Sequence, residues 1–162
     1  MVSRFHLALK KIDRDPERKE NYSRDFIGFR EWCLDLSREY NQDDISYFSE
    51  DIVNMGKVLP CHSDFYRYIQ WHNYAWSIIR KLDVPFYTLH YEDYSDRFDD
   101  TKTEILDFLE LPDTGGKHKF FLSDYSEYFT SSERTAAMAF MKNIASNDTW
   151  QSISRYMDEE FL

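Results

Sequence analysis

The sequence predicts an α/β chain that is mostly helical, with one clear strand over residues 84–91. Three observations carry that prediction. Apolar residues recur every three or four positions along most of the 162 residues. One run, "VPFYTLHY", is instead apolar and β-rich, with a proline at its second position where a missing N–H is tolerated. Only 4 Gly and 4 Pro interrupt the pattern, leaving little room for long loops, and the chain contains no internal repeat.

Residues 2–11 read as a helix with Val2, Phe5 and Leu9 on one face and no preceding N-cap residue. A second helix, from about Arg24 to Tyr40, follows from the spacing of Phe26, Phe29, Cys33, Leu36 and Tyr40, with Ser23 as its N-cap. "NQDDISYFSEDIVNMGKVLP" reads as a loop with one short turn, being rich in polar breakers. After Pro60, Ser63 or Asp64 caps a third helix whose stripe is Phe65, Tyr68/Ile69, His72, Ala75/Trp76, Ile79 and Leu82. Behind the strand, Thr101 and Glu104 form the spacing of a capping box for a helix stopped by Pro112. Thr130 and Glu133 repeat that spacing ahead of Ala137, Phe140, Met141 and Ile144. Asn147 or Asp148 then caps a last helix bearing Trp150, Ile153 and Tyr156.

A lone strand leaves both its edges unsatisfied. An apolar strand between helices is what a parallel α/β sheet uses. The expectation is therefore a single partial domain over 1–162, whose sheet partners are coded elsewhere.

Hydrophobic content of 42% and aromatic content of 18% exclude a disordered chain. No apolar run reaches the length of a membrane span, and "MVSRFHLALKK" is too interrupted for a secretory signal. The net charge of −10 disfavours nucleic acid as a partner. Residues 1–30 nevertheless carry eight Lys/Arg against five acids, so an anionic ligand would sit near that segment, and the plainer alternative is a solvated helix face. Cys33 and Cys61 sit among aromatic and apolar neighbours, as buried thiols do, and a disulfide requires an oxidising compartment. The five histidines have no metal-ligand spacing, no metal is expected, and His72 on its apolar stripe reads as a core histidine.

"LHYEDYSDRFDDTKTEILDFLELP" resembles a segment of the sulfotransferases, which transfer a sulfuryl group from 3′-phosphoadenosine 5′-phosphosulfate (PAPS). In that family a core strand ends in Tyr-Glu-Asp, matched by Tyr91, Glu92 and Asp93, and a later helix ends Phe-Leu-Gly-Leu-Pro. Here "DFLELP" matches with Glu110 in place of the glycine. "MVSRFHLALKK" resembles the family's 3′-phosphate-binding helix, and "WHNYAW" with the tail "YFTSSERTAAMAFMKNIASNDTWQSISRY" is similar to carbohydrate-type sulfotransferase-like proteins of unicellular algae and related eukaryotes.

The resemblance implies the C-terminal portion of a P-loop-type three-layer α/β/α fold, acting on a carbohydrate hydroxyl or another hydroxyl or amine. It implies Ser3 on the 3′-phosphate with Arg4 beside it, and Tyr91 against the adenine. Lys117 in "GGKHK" (115–119) is the positional candidate for a loop closing on the phosphate. Full-length relatives are often anchored in the Golgi lumen. The family's phosphosulfate loop does not occur in this sequence, and its catalytic base would precede Met1, so the chain alone is expected to be inactive. The rival readings are a non-catalytic helical binding module and another P-loop transferase, and the absence of a Gly-Lys-Ser/Thr step argues against the latter.

Overall fold

The computed structural model describes residues 2–12, 22–116 and 126–157. Eight α-helices lie among them: α1 (Val2–Ile12), α2 (Phe26–Tyr47), α3 (Glu50–Lys57), α4 (His62–Leu82), α5 (Asp93–Asp96), α6 (Phe98–Phe108), α7 (Ser131–Ile144) and α8 (Asn147–Ile153). They fall into two compact units, Met1–Ser77 with Tyr125–Leu162, and Ile78–Asp124.

The first unit holds two hydrophobic cores. In one, Val2, Phe5 and Leu9 of α1, the face read from the sequence, pack against Phe29, Trp32 and Cys33 of α2 and against Tyr128. The Phe29 ring meets Phe5 edge-on at 5.6 Å and Tyr128 at 5.1 Å, the arrangement that ring quadrupoles favour. Cys61 completes this core as half of a disulfide with Cys33. Both sulfurs are buried, and the bridge pins the middle of α2 to the residue before α4. Cys61 itself takes a left-handed φ of 55°, which turns the chain so that the Asp64 N–H donates to its carbonyl at 2.9 Å. Hence α4 starts at His62, and Ser63 and Asp64 lie buried in its first turn instead of capping it.

The start of α2 also differs from the Ser23 cap expected. The Asp25 carboxylate accepts the Gly28 N–H at 3.0 Å and the Ser23 hydroxyl at 2.6 Å, so Asp25 caps and Ser23 supports it. Gly28 is required there because a Cβ would lie 1.9 Å from the Ser23 carbonyl oxygen.

The second core gathers Leu59, Tyr66 and Ile69 with Ala137, Phe140 and Met141 of α7 and Ile153 of α8. The stretch read as a loop is mostly helix, forming the tail of α2 and then α3, because Ile52 and Met55 find this core to pack on. Glu50 and Asp51 sit in the first turn of α3, where the macrodipole favours acids. The Thr130–Glu133 capping box forms as expected, with both reciprocal hydrogen bonds present. For α8 the cap is Ser146, ahead of both Asn147 and Asp148. Asn73 of α4 ties the α7–α8 corner together, donating to the Ile144 carbonyl at 2.9 Å and accepting the Ser146 N–H at 2.8 Å.

The second unit overturns two expectations. Residues 84–91 form no strand, and no β-ladder exists among the described residues. A run with β propensity does not become a strand without a second backbone to pair with. Val84, Phe86 and Leu89 are left exposed. Helix α6 begins at Phe98, so Thr101 lies inside it, fully buried, its hydroxyl donating to the Asp93 carbonyl at 3.3 Å. Glu104 is therefore free of the expected cap and holds Arg97 at 2.8 Å and the Tyr87 hydroxyl at 2.6 Å.

The end of α6 is closed by a Schellman motif. The Leu111 N–H donates to the Leu106 carbonyl at 2.9 Å and the Glu110 N–H to the Asp107 carbonyl at 3.1 Å. This requires the left-handed region at Glu110, whose φ is 54°. That conformation costs a residue with a Cβ about 1–2 kcal/mol, a strain glycine does not bear.

Two outcomes test this description. Glu110→Gly should stabilise the protein by roughly 1 kcal/mol in urea unfolding, whereas a loss of stability would show that the helix end is not left-handed. Replacing both cysteines by serine should cost roughly 3–4 kcal/mol in the same assay, since the bridge closes a separation of 28 residues. An unchanged midpoint would show that the bridge does not hold the first unit.

Candidate functional site

The four residues expected at a nucleotide site are distributed as follows. Ser3 lies in the first turn of α1, an end of a helix where backbone N–H groups and the macrodipole favour an anion. Arg4, next to it, is committed elsewhere: its guanidinium pairs with the Asp64 carboxylate and lies 5.9 Å from the centre of the Trp32 ring. The Asp64 side chain is only 6% exposed, so removing Arg4 from it would leave a nearly buried charge, which is costly. The charge of Arg4 is thus already paired within the first unit. Tyr91, in the turn leading to α5, is 57% exposed. It belongs to the second unit, whereas Ser3 and Arg4 belong to the first. Lys117 lies outside the described residues.

Around Tyr91 the local architecture is a series of backbone bonds. The Glu92 carbonyl accepts the Ser95 N–H at 2.8 Å and the Asp93 carbonyl accepts the Arg97 N–H at 3.0 Å. Glu92 and Asp93 brace the turn through these carbonyls.

A further site was not legible in the sequence. One face of α2 and the α3–α4 connection enclose a groove of about 450 Å³ within the first unit. Its apolar wall is Leu34, Val58, Leu59, Pro60 and the Cys33 half of the disulfide, and its polar groups are Arg30, Ser37, Arg38, Lys57 and His62. None of the described lining residues is acidic. The α2 contribution comes from positions 30, 33, 34, 37 and 38, which share one helical face, whereas the rest comes from the segment that the disulfide draws against it.

The polar side chains of this groove are held differently. Arg30 is locked: both terminal nitrogens bond Glu133, each at 2.5 Å, and its guanidinium lies 4.4 Å from the Phe26 ring centre. Arg38 reaches Asp35 at 2.7 Å on the exposed surface of α2. Lys57 meets only a neutral partner among the described residues, donating to the Asn54 side-chain oxygen at 3.2 Å. His62 Nδ1 lies 3.4 Å from the Ser37 hydroxyl.

His72, expected in the core, is half-buried, with the Tyr68 and Trp71 rings edge-on at 4.5 and 4.8 Å. Burial lowers its pKa below the ordinary 6.5. Among the described residues no three His, Cys, Asp or Glu side chains come together as a metal site, and no helix is long and apolar enough to cross a membrane.

No protein-family model matches this chain, and neither does any curated protein or any solved structure.

The Arg30–Glu133 pair gives a pH signature. The guanidinium, and then the Thr130 N–H, hold the Glu133 carboxyl at about 2, down from 4.5, against the opposing effect of burial. A lowered carboxyl pKa contributes stability that is complete above 4.5 and disappears as the pH falls towards 2. Glu133→Gln should cost roughly 1–2 kcal/mol at pH 7, with water screening part of the pair, and the gap from wild type should close near pH 2. A gap that does not change with pH in urea unfolding would show that the ion pair contributes nothing.

Proposed function

We propose that this chain is the nucleotide- and acceptor-side portion of a PAPS-dependent sulfotransferase, without the phosphosulfate loop and catalytic base, and inactive alone. The observation that carries the reading is the left-handed Glu110, which stands where the family pattern has glycine. The Phe-Leu-x-Leu-Pro element thus has the backbone that its glycine would serve, 19 residues after Tyr91 in a turn–helix–stop arrangement. The exposed apolar residues Val84, Phe86 and Leu89 support it as well, being the type of surface a strand inside a parallel sheet would cover. The disulfide fits an oxidising compartment, in keeping with a lumenal location.

In this reading Ser3 binds the 3′-phosphate from the first turn of α1, and Tyr91 lies against the adenine. Arg4 has a structural part, holding Asp64. Sulfuryl transfer to a carbohydrate hydroxyl is an in-line displacement that depends on positioning and on stabilising the charge developing on the sulfuryl and bridging oxygens. This chain's share is positioning.

A second reading has its own observation. Tyr68, Trp71 and Tyr74 share one stripe of α4, and Trp71 and Tyr74 are each 67% exposed. A helical unit with two cores of its own and such a stripe suits a non-catalytic module that binds a partner protein.

Calorimetric titration with adenosine 3′,5′-bisphosphate, with 5′-AMP as control, separates the two. The first reading requires binding that Ser3→Ala weakens about tenfold or more, the worth of a charge-assisted hydrogen bond, and that 5′-AMP does not reproduce. Equal binding of both nucleotides, no binding, or an unaffected Ser3→Ala variant would overturn it in favour of the module.

A further inference from the structure

The geometry points to the groove between α2 and the α3–α4 connection as a binding site for a small organic anion, one with an apolar body and a single phosphate or carboxylate head. The site is separate from Ser3 and Tyr91 and does not depend on the sulfotransferase reading.

Three features specify the ligand. At about 450 Å³ the groove lies within the range of small-molecule sites. Its wall of Leu34, Val58, Leu59 and Pro60 offers nothing to a polar body, so affinity there would come from apolar contact. The polar groups then dictate the sign of the head. Arg38, Lys57 and His62 line the groove with Ser37, and no carboxylate among the described residues lines it, in a chain whose net charge is −10. The background field repels anions, so local attraction must come from these side chains.

The roles of the cations are not equivalent. Arg30 is bound on both terminal nitrogens by Glu133 and shapes the wall. Arg38 is shared with Asp35. Lys57 has the ammonium to give, because exchanging the neutral Asn54 oxygen for an anion strengthens its hydrogen bond. Ser37 and His62 add a hydroxyl and an imidazole to the lining. An anion bearing an apolar group satisfies the wall and these groups together, whereas a neutral aromatic satisfies only the wall and inorganic phosphate only the cations.

The test is calorimetry on the full chain with four probes: 2-naphthyl phosphate, 2-naphthoate, 2-naphthol and inorganic phosphate. At least one of the two naphthyl anions should bind ten times more tightly than both 2-naphthol and inorganic phosphate, and the stronger of the two identifies the head group. Raising the salt from 0.05 to 0.5 M should weaken that binding several-fold, as screening of an exposed pair demands. Lys57→Met, an exposed change at the end of α3, should lower the affinity about tenfold with an unaltered circular dichroism spectrum. Ser3→Ala should leave it unchanged, which keeps this result distinct from nucleotide binding. Equal binding of 2-naphthol and the anions, no binding at millimolar probe, undiminished affinity in Lys57→Met, or loss in Ser3→Ala would each overturn the proposal.

Discussion

The first unit depends on the Cys33–Cys61 bridge. It joins the middle of a 22-residue helix to the short connection that ends in α4, and it does so inside a core of Phe5, Phe29, Trp32 and Tyr128. Two residues before Cys61, Leu59 is buried in the other core, against Ile69 and Phe140. The connection is therefore anchored on both sides, by a covalent bond in one core and by apolar burial in the other. Its left-handed turn at Cys61 follows from that double anchoring, since no glycine relieves it there. The groove is the space left where this connection cannot close on α2.

Electrostatics follows the same plan. Two of the bases near the N-terminus are tied to distant acids. Arg4 spans to Asp64 and Arg30 to Glu133, each ion pair connecting elements far apart in the chain. Asp64 also has Arg67 at 3.9 Å, while its other carboxylate oxygen is buried without a hydrogen-bond partner among the described residues. Such a carboxylate makes its arginine indispensable without making the pair a large net source of stability. What the ion pairs do supply is register, by fixing which turn of α4 or α7 faces which turn of its neighbour.

Helices whose burial is set by their own periodicity were legible in the sequence. Val2, Phe5 and Leu9, the Thr130–Glu133 box, and Ala137 with Phe140 all stand where the pattern placed them. Features that depend on a partner distant in sequence were not. The run at 84–91 has strand composition but no ladder, and helix replaces the expected loop after Tyr40 because α3 finds a core to pack on. Thr101 and Glu104 had the spacing of a cap, but Thr101 is in the interior of α6, which begins three residues earlier. Among the expected site residues, the tie of Arg4 to Asp64 was not legible, because the two are sixty positions apart. The groove escaped notice for the same reason: its residues come from 30–38 and 57–62, and the disulfide and the burial of Leu59 put them together.

The double anchoring of the connection has a consequence for how this protein can change over generations. Depth and outline of the groove are set by Leu59 and Cys33, which the two cores and the bridge hold in place. Leu34, Arg38, Lys57 and Val58 line the same space from exposed positions, where substitution costs the fold little. Selection can therefore exchange what the groove prefers while the container stays constant. Divergence among descendants of this chain should accumulate at those four positions, with the frame behind them conserved.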